Sequence, residues 1–477
     1  MGDDLMLEIL TLLPLKSAIR TAAVSKEWSR VWKLHLQEGG GAHPFVRRYH
    51  LVARIEPSPK QLLELLERRA GRRLHRFSLI VETSVMAASC FNSCLDQVAK
   101  CAVEDLHVEL RNRTARNKFV FHFRWTSRFL ARLSLRRTNV SQSVDYRTTV
   151  FSNLEVIRLY EVGIDDGVLI KMVSSCPVLR TPDLFYCNRL SDLTWFFLEK
   201  NLRTLTVVEC AQVRELDVWP FFEQDCSIRS FRYRGPFLWI FYLPRLAVVF
   251  NDLCICYNDA IPPDVCSEWF DNTLFNTSEL TVLTICSNTL QVVSYLTDAG
   301  VHAELAKVAN FQKLKELQLI TFEMKAVNLA DIYAFLNNCH CPILESLFVQ
   351  LPTEKSYDVI EELPEDVLEN LPLLDAHNDV IEELPENVVE NLKVVKITNS
   401  SSDPIAVLLV LFLLRKANSL SELLLVAPNG QLNVFDIPDI QQADRLLLDG
   451  ALASGKLVLK LENTAPYPLH SDVFAEL

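Results

Sequence analysis

Glycine is scarce in this chain, 12 among 477 residues, and the glycines it has form no phosphate-cradling loop. There is no Walker loop, no G-x-G-x-x-G and no G-x-S-x-G, so the signatures of nucleotide binding and of an α/β-hydrolase nucleophile are missing. Long apolar runs are missing too. The longest, residues 405–414, is about half of the roughly 20 residues a membrane span needs, and it is expected to be a buried helix. Asp3 and Asp4 stand where a signal peptide would carry its basic n-region. The 13 cysteines are odd in number and scattered, and Cys187, Cys210, Cys254 and Cys286 sit inside apolar strings. That pattern fits reduced, buried thiols of the cytoplasm or nucleus better than a secreted disulfide framework. Cys254-x-Cys256 and Cys339-His340-Cys341 could each offer two or three metal ligands, but neither has a second half at zinc-finger spacing. Core packing is the expectation for both. No metal, cofactor or catalytic residue is expected, and the chain is not expected to be an enzyme.

Charge is unevenly placed. Residues 1–150 carry 25 Lys+Arg against 14 Asp+Glu, whereas the rest carries 23 against 46. A basic first third joined to an acidic remainder implies different surfaces, not general nucleic-acid affinity.

Residues 5–32, LMLEILTLLPLKSAIRTAAVSKEWSRVW, form a short amphipathic module too small to bury its own apolar surface, so it is expected either to dock a partner or to fold down as a helical cap on the rest of the chain. A first helix is expected over 3–13, with Leu5, Ile9, Leu12 and Leu13 at helical spacing. Pro14 then opens a second helix. Ser25 caps a third, on which Trp28 and Trp32 lie one turn apart. Residues 37–45 follow as a Gly-rich linker.

Beyond the linker one string keeps returning: apolar, two residues, apolar, one residue, apolar. It occurs at Leu74/Phe77/Leu79, Val103/Leu106/Val108, Leu130/Leu133/Leu135, Leu154/Ile157/Leu159, Leu202/Leu205/Val207 and Ile228/Phe231/Tyr233. Leu280/Leu283/Ile285, Leu314/Leu317/Leu319, Leu344/Leu347/Val349, Leu392/Val395/Ile397 and Leu420/Leu423/Leu425 continue it. This is the leucine-rich-repeat pattern, in which one unit cannot bury its apolar face and neighbours must stack. Cys176-Pro177-Val178-Leu179 and Cys341-Pro342-Ile343-Leu344 precede two of the strings. Residues 358–371 and 379–392 are near copies, identical at 12 of 14 positions. They read either as a tandem duplication of one repeat-sized unit or as a solvated acidic loop.

The module with Pro14, the Ser25 cap and Trp28/Trp32 resembles the F-box of plant F-box proteins. The Cys-Pro-x-Leu entries resemble those of F-box leucine-rich-repeat proteins, and residues 391–477 resemble the FBD region of the same group. The resemblance implies an N-terminal three-helix F-box followed by an irregular leucine-rich-repeat solenoid, α/β in class. The expected divisions are an F-box over 1–36, repeats over 46–350, the acidic duplicated segment over 351–390 and an FBD-like region over 391–477. It further implies docking of the Skp adaptor, and through it a cullin, on Leu5, Ile9, Leu12, Leu13, Pro14, Val24, Trp28 and Trp32. One departure is that Met1 and Gly2 stand where family members usually carry Leu-Pro, as in a truncated or alternative start.

In a solenoid, residues between the buried leucines of each strand point to the concave face. Those positions include Arg76, Arg132, Arg136, Arg158, Arg232 and Arg234. Arginine forks hold carboxylate and phosphate bidentately, so an unknown acidic or phosphorylated target, or an anionic small molecule, is expected there. The competing expectation is ordinary surface arginine, partly paired with Glu104, Glu109 and Glu155. The function implied is substrate recognition within a ubiquitin ligase in the nucleus or cytoplasm, with no nucleic-acid or membrane partner. The alternative is a stand-alone leucine-rich-repeat scaffold without ligase coupling.

Overall fold

The recurring string becomes a strand wherever it occurs. The last two apolar residues of each of the eleven copies lie on a β-strand, and all three are buried. The cause is the period-two geometry of a strand: residues two apart share a face, and that face is covered. The computed structural model describes residues 5–6, 9, 21, 25–37, 50–54, 59–68, 73–84, 86–111, 119–121, 129–140, 151–213, 215–217, 227–238, 240–242, 250–262, 279–291, 311–322, 331–333, 335–336, 341–352, 389–399, 404–427 and 442–474. They fall into two units, Met1–Val213 and Arg214–Leu477.

The first unit runs α1 (Lys26–Gln37), β1 (His50–Arg54), α2 (Pro59–Arg68), β2 (Arg73–Glu82), α3 (Ala88–Ala99), β3 (Ala102–Arg111) and β4 (Val120–Phe121). It continues with β5 (Arg132–Arg136), β6 (Asn139–Val140), β7 (Val156–Tyr160), α4 (Asp166–Ser174), β8 (Thr181–Phe185) and β9 (Thr204–Val208). Strands β1-β2-β3-β5-β7-β8-β9 form one sheet, and the pairs between them are parallel. Parallel neighbours need a crossover between them, which the rest of each repeat provides. The register aligns the strings: Leu79 pairs with Val108, Val108 with Leu135, Leu135 with Leu159, and Leu159 with Leu184. At the short β6 strand, Asn139 bridges Gly163. A Cβ on Gly163 would sit 2.1 Å from Asn139 Oδ1, so any other residue here would have to displace the Asn139 side chain.

The second unit runs β10 (Glu215–Asp217), β11 (Ser230–Gly235), β12 (Ile240–Tyr242), β13 (Asp252–Tyr257), β14 (Val282–Cys286) and β15 (Glu316–Ile320). Then come β16 (Ser346–Gln350), β17 (Val394–Thr398), α5 (Pro404–Lys416), β18 (Glu422–Val426), α6 (Gln442–Ala453) and β19 (Leu457–Lys460). Strands β11-β13-β14-β15-β16-β17-β18-β19 are again parallel neighbours. One core row passes through Leu253, Leu283, Leu317, Leu347, Val395, Leu423 and Leu457. Helix α5 contains the 405–414 run, and its residues from Val407 to Leu414 are mostly buried. No helix among the described residues is long and apolar enough to cross a membrane.

Adjacent repeats are stitched by shared carbonyls. The N–H groups of Arg180 and Thr181 both donate to Glu155 O, and those of Lys393 and Val394 to Glu345 O. The two Cys-Pro entries are tied to the following repeat: Asn201 Nδ2 donates to Pro177 O at 2.6 Å and Asn391 Nδ2 to Pro342 O at 2.7 Å. Cys176 and Cys341 are both buried. Among the strands of the long parallel rows, β1, β8, β13 and β19 lie outside those eleven copies. In β8 the string is present but carries Pro182 and Asp183, residues a strand ordinarily disfavours. Most of the duplicated acidic segment, residues 353–388, lies outside the described residues. Residues 391–477 contribute β17, β18 and β19 to the same sheet as the preceding repeats.

Candidate functional site

Helix α1 begins as expected. Ser25 Oγ accepts the Trp28 N–H at 3.2 Å, and Ser25 O accepts the Ser29 N–H, which satisfies donors a helix start otherwise leaves free. Trp28 is half-buried and Trp32 lies one turn further on the same helix. Leu5, Met6 and Ile9 are helical; Leu5 is exposed, Ile9 is half-buried and Met6 is buried. Leu12, Leu13, Pro14 and Val24 lie outside the described residues.

The polar face of the first unit's sheet is built from three registered rows. Arg76, Asp105 and Arg132 form one; Ser78, His107, Ser134, Arg158, Asp183 and Thr206 form the second; Glu109, Arg136, Tyr160 and Phe185 form the third. The arginines alternate with acids. Arg158 Nε meets Asp183 Oδ2 at 3.0 Å and Arg76 Nε meets Asp105 Oδ2 at 3.8 Å. The Arg158 side chain is 63% exposed, so that pair contributes only about 0.2–1 kcal/mol and its fork stays open to an incoming anion. Arg132 is exposed and carries no ion pair among the described residues. Arg136 stacks over Tyr160, 4.1 Å from the ring centre, and Tyr160 packs against Phe185 at 6.1 Å and Tyr186 at 5.3 Å. All four are half-buried. The acids engaged include Asp105 and Asp183, so the expected partners Glu104, Glu109 and Glu155 account for only part of the pairing; Glu104 binds His75 and Glu109 approaches Arg111 and Arg137.

The strands of this face end in a repeated turn. Arg137, Glu161, Tyr186 and Glu209, each the residue after a strand, all have positive φ between 49° and 59°. The left-handed conformation is held because the N–H groups of Arg137, Glu161 and Tyr186 each donate to the neighbouring strand, to Tyr160 O, Phe185 O and Val208 O. The turn places Tyr186 beside Tyr160 and sets Arg137 Nε 3.3 Å from Glu161 Oε1.

In the second unit the equivalent arginines are engaged by the chain itself. Arg232 lies 3.7 Å from Asp252 and 3.4 Å from Asp472, and Arg234 is buried under the Phe474 ring. Of the six arginines expected on one surface, four therefore face outward on the first unit's sheet and two are covered within the second.

Comparison with known proteins bears on both ends of this arrangement. Residues 65–443 match the model for the At1g61320/AtMIF1 leucine-rich-repeat domain, about four-fifths of the chain, and residues 1–36 match the F-box domain. The chain belongs to the F-box/leucine-rich-repeat family. It is 26% identical to F-box/LRR-repeat protein 25 of Arabidopsis thaliana over 42% of its own length and 70% of that protein. It is 26% identical to the putative F-box/LRR-repeat protein At5g02930 over 44% of its length and 41% of that protein. Against the putative F-box/FBD/LRR-repeat protein At5g22670, both of the same plant, identity is 27% over 37% of this chain and 38% of the relative.

Members of the F-box/leucine-rich-repeat family are typically non-catalytic adaptors. Two histidines among the described residues lie beside a hydroxyl: His470, between Thr284 Oγ1 at 2.8 Å and Asp252 Oδ1 at 2.9 Å, where it is fully buried, and His107, whose Nδ1 lies 3.0 Å from Ser134 Oγ. The other nitrogen of His107 is 3.8 Å from Glu109, longer than a hydrogen bond. Burial lowers the His107 pKa, with Glu109 acting against it and Arg76 adding to it. The ten described cysteines are all free thiols, nine of them buried. Burial pushes the thiols of Cys94, Cys176 and Cys341 up to about 12, which makes them packing groups rather than nucleophiles. Cys254 and Cys256 are buried on β13, Cys339 lies outside the described residues, and no metal-holding group of three His, Cys, Asp or Glu occurs among the described residues.

Tyr160, Phe185 and Tyr186 are not among the residues expected at this surface. Aromatic and basic residues do alternate at the strand ends in the sequence, but only the register puts them together.

Proposed function

We propose that this chain is the substrate-recognition subunit of a Skp–cullin–F-box ubiquitin ligase, acting in the nucleus or cytoplasm. The F-box over residues 1–36 supports adaptor docking through Leu5, Ile9, Leu12, Leu13, Pro14, Val24, Trp28 and Trp32. Large aromatics on a small helical module are the usual energetic anchors of an interface. The observation that carries target binding is the outward face of the first unit, where Arg132 and Arg158 stand beside the Arg136/Tyr160/Phe185/Tyr186 cluster. Arginine and tyrosine together favour an acidic or phosphorylated protein segment. Ubiquitin transfer belongs to other subunits, and this chain raises the target's local concentration.

The test is capture of Skp adaptor by the full chain. Replacing Trp28 and Trp32 with alanine is expected to weaken it at least about 100-fold, since each such anchor contributes about 2 kcal/mol or more. Charge reversal of Arg132 and Arg158 should leave adaptor capture intact and abolish target capture. Absence of adaptor binding by the unaltered chain would replace the ligase reading with the stand-alone scaffold.

A further inference from the structure

After β19 the chain turns back across the strands of the second unit's sheet. Residues 461–474 pass from the β17 side toward β11 and touch residues of β17, β15, β14, β13 and β11 in turn. Lys396 Nζ on β17 donates to the carbonyls of Thr464 and Pro466 and lies 4.5 Å from the Tyr467 ring centre. Glu316 on β15 accepts the Leu469 N–H at 2.6 Å. His470 is fully buried, with Nδ1 2.8 Å from Thr284 Oγ1 on β14 and Nε2 donating to Asp252 Oδ1 on β13 at 2.9 Å. Asp472 reaches Arg232 on β11, and Phe474 covers Arg234.

The face beneath is built for this role. Its central row, Arg232, Cys254, Thr284, Gln318, Phe348 and Lys396, points away from the leucine core, yet all but Arg232 are buried. A lysine 2% exposed is tolerated only when its charge is satisfied, and here two backbone carbonyls satisfy it. Burial lowers the Lys396 pKa, Lys460 adding to that. Burial pushes the Asp252 carboxyl up, but hydrogen bonds from His470 and Ser230 and the charge of Arg232 outweigh it and hold the group below the usual carboxylate range. The contacts are those of peptide recognition: carbonyls bound by an ammonium, an amide N–H bound by a carboxylate, and one imidazole held in a two-point pocket.

We propose that the polar face of the second unit is a binding site for an extended peptide, that its resident ligand is the chain's own residues 461–474, and that His470 is the side chain it reads. The site takes a segment with histidine followed two residues later by an acid, as in His470-Ser471-Asp472. The proposal stands whether or not the chain couples to a ligase. It leaves the first unit's face as the open one while residues 461–474 are in place.

The probe is a fluorescent synthetic peptide of residues 461–474, used with the full chain. Exchange of the Leu469 amide reports release of the resident segment, and exchange of β13–β17 amides reports the sheet. His470→Ala with Asp472→Ala in the chain should free the segment, leave the strands protected, and raise affinity for the wild-type peptide at least tenfold over the unaltered chain. Asp252→Asn added to that variant, or His470→Ala in the peptide, should remove binding. The effective concentration of a tethered segment is of millimolar order. Several millimolar peptide should therefore accelerate exchange of the resident segment in the unaltered chain without exposing the strands. A segment that stays protected in the double variant, equal peptide binding with and without it, or no response of the unaltered chain to millimolar peptide overturns the proposal. The last arm needs no variant, so a variant that fails to fold does not decide the matter.

Discussion

Replacing Leu317 with alanine probes how this chain holds itself together. Leu317 is fully buried on β15, with Leu283 on one side and Leu347 on the other in the core row, and Leu314 and Leu319 before and after it in its own repeat. Removing most of the side chain forfeits about 1.5–3 kcal/mol of apolar burial. A cavity term adds to that, because the neighbours are fixed by continuous ladders and cannot close in; Leu→Ala changes at rigid sites reach about 3–5 kcal/mol. In a repeat array each unit touches only its neighbours, so the loss should be local. Amide exchange on the full chain is expected to show β14, β15 and β16 losing about 3–5 kcal/mol of protection, with β2, β3 and β5 of the first unit unchanged. A loss below about 0.5 kcal/mol, the scale of an ordinary surface change, would refute the packing argument. An equal loss in both units would refute the nearest-neighbour one.

Two more predictions concern ionisation. Burial raises the Glu316 carboxyl above its usual pKa, the Leu469 N–H and His470 acting against it. Its contribution is thus fullest below the unfolded value of about 4.3 and declines as pH rises through the raised one. Glu316→Gln keeps an acceptor for the Leu469 N–H and removes that decline, so its Tm should equal the wild type's near pH 4 and exceed it at pH 7; a wild type more stable at pH 7 would contradict this. Cys94, Cys176 and Cys341, held near 12 by burial, should resist alkylation at pH 8 in the folded chain and react on unfolding, as peptide mass mapping would show; rapid native labelling at any of them would contradict the burial.

Much of the fold was legible because its determinants are periodic. A string of three apolar residues, repeated eleven times, names strand, core face and approximate register at once. Ser25 announced the start of α1 through a hydrogen bond three residues long. Strand β8 was hidden by Pro182 and Asp183, tolerated because the neighbouring strands supply the register that local propensity does not.

The candidate surfaces were legible only in part. Composition at alternate strand positions showed where arginine would lie, but not which acids would answer it: Asp183 is 25 residues from Arg158. Nor did it show that Arg232 and Arg234 would be covered. His470 finds Asp252 across 218 residues and Thr284 across 186, and no local pattern encodes contacts of that range. The sequence by itself determined the repeating unit and the side of each strand that must be buried, because hydrophobic burial acts on neighbours at fixed spacing. Tertiary structure alone decided which polar face is open and which is occupied, because that depends on where residues 461–474 return across the sheet, and hydrogen-bond complementarity at a distance leaves no period in the chain.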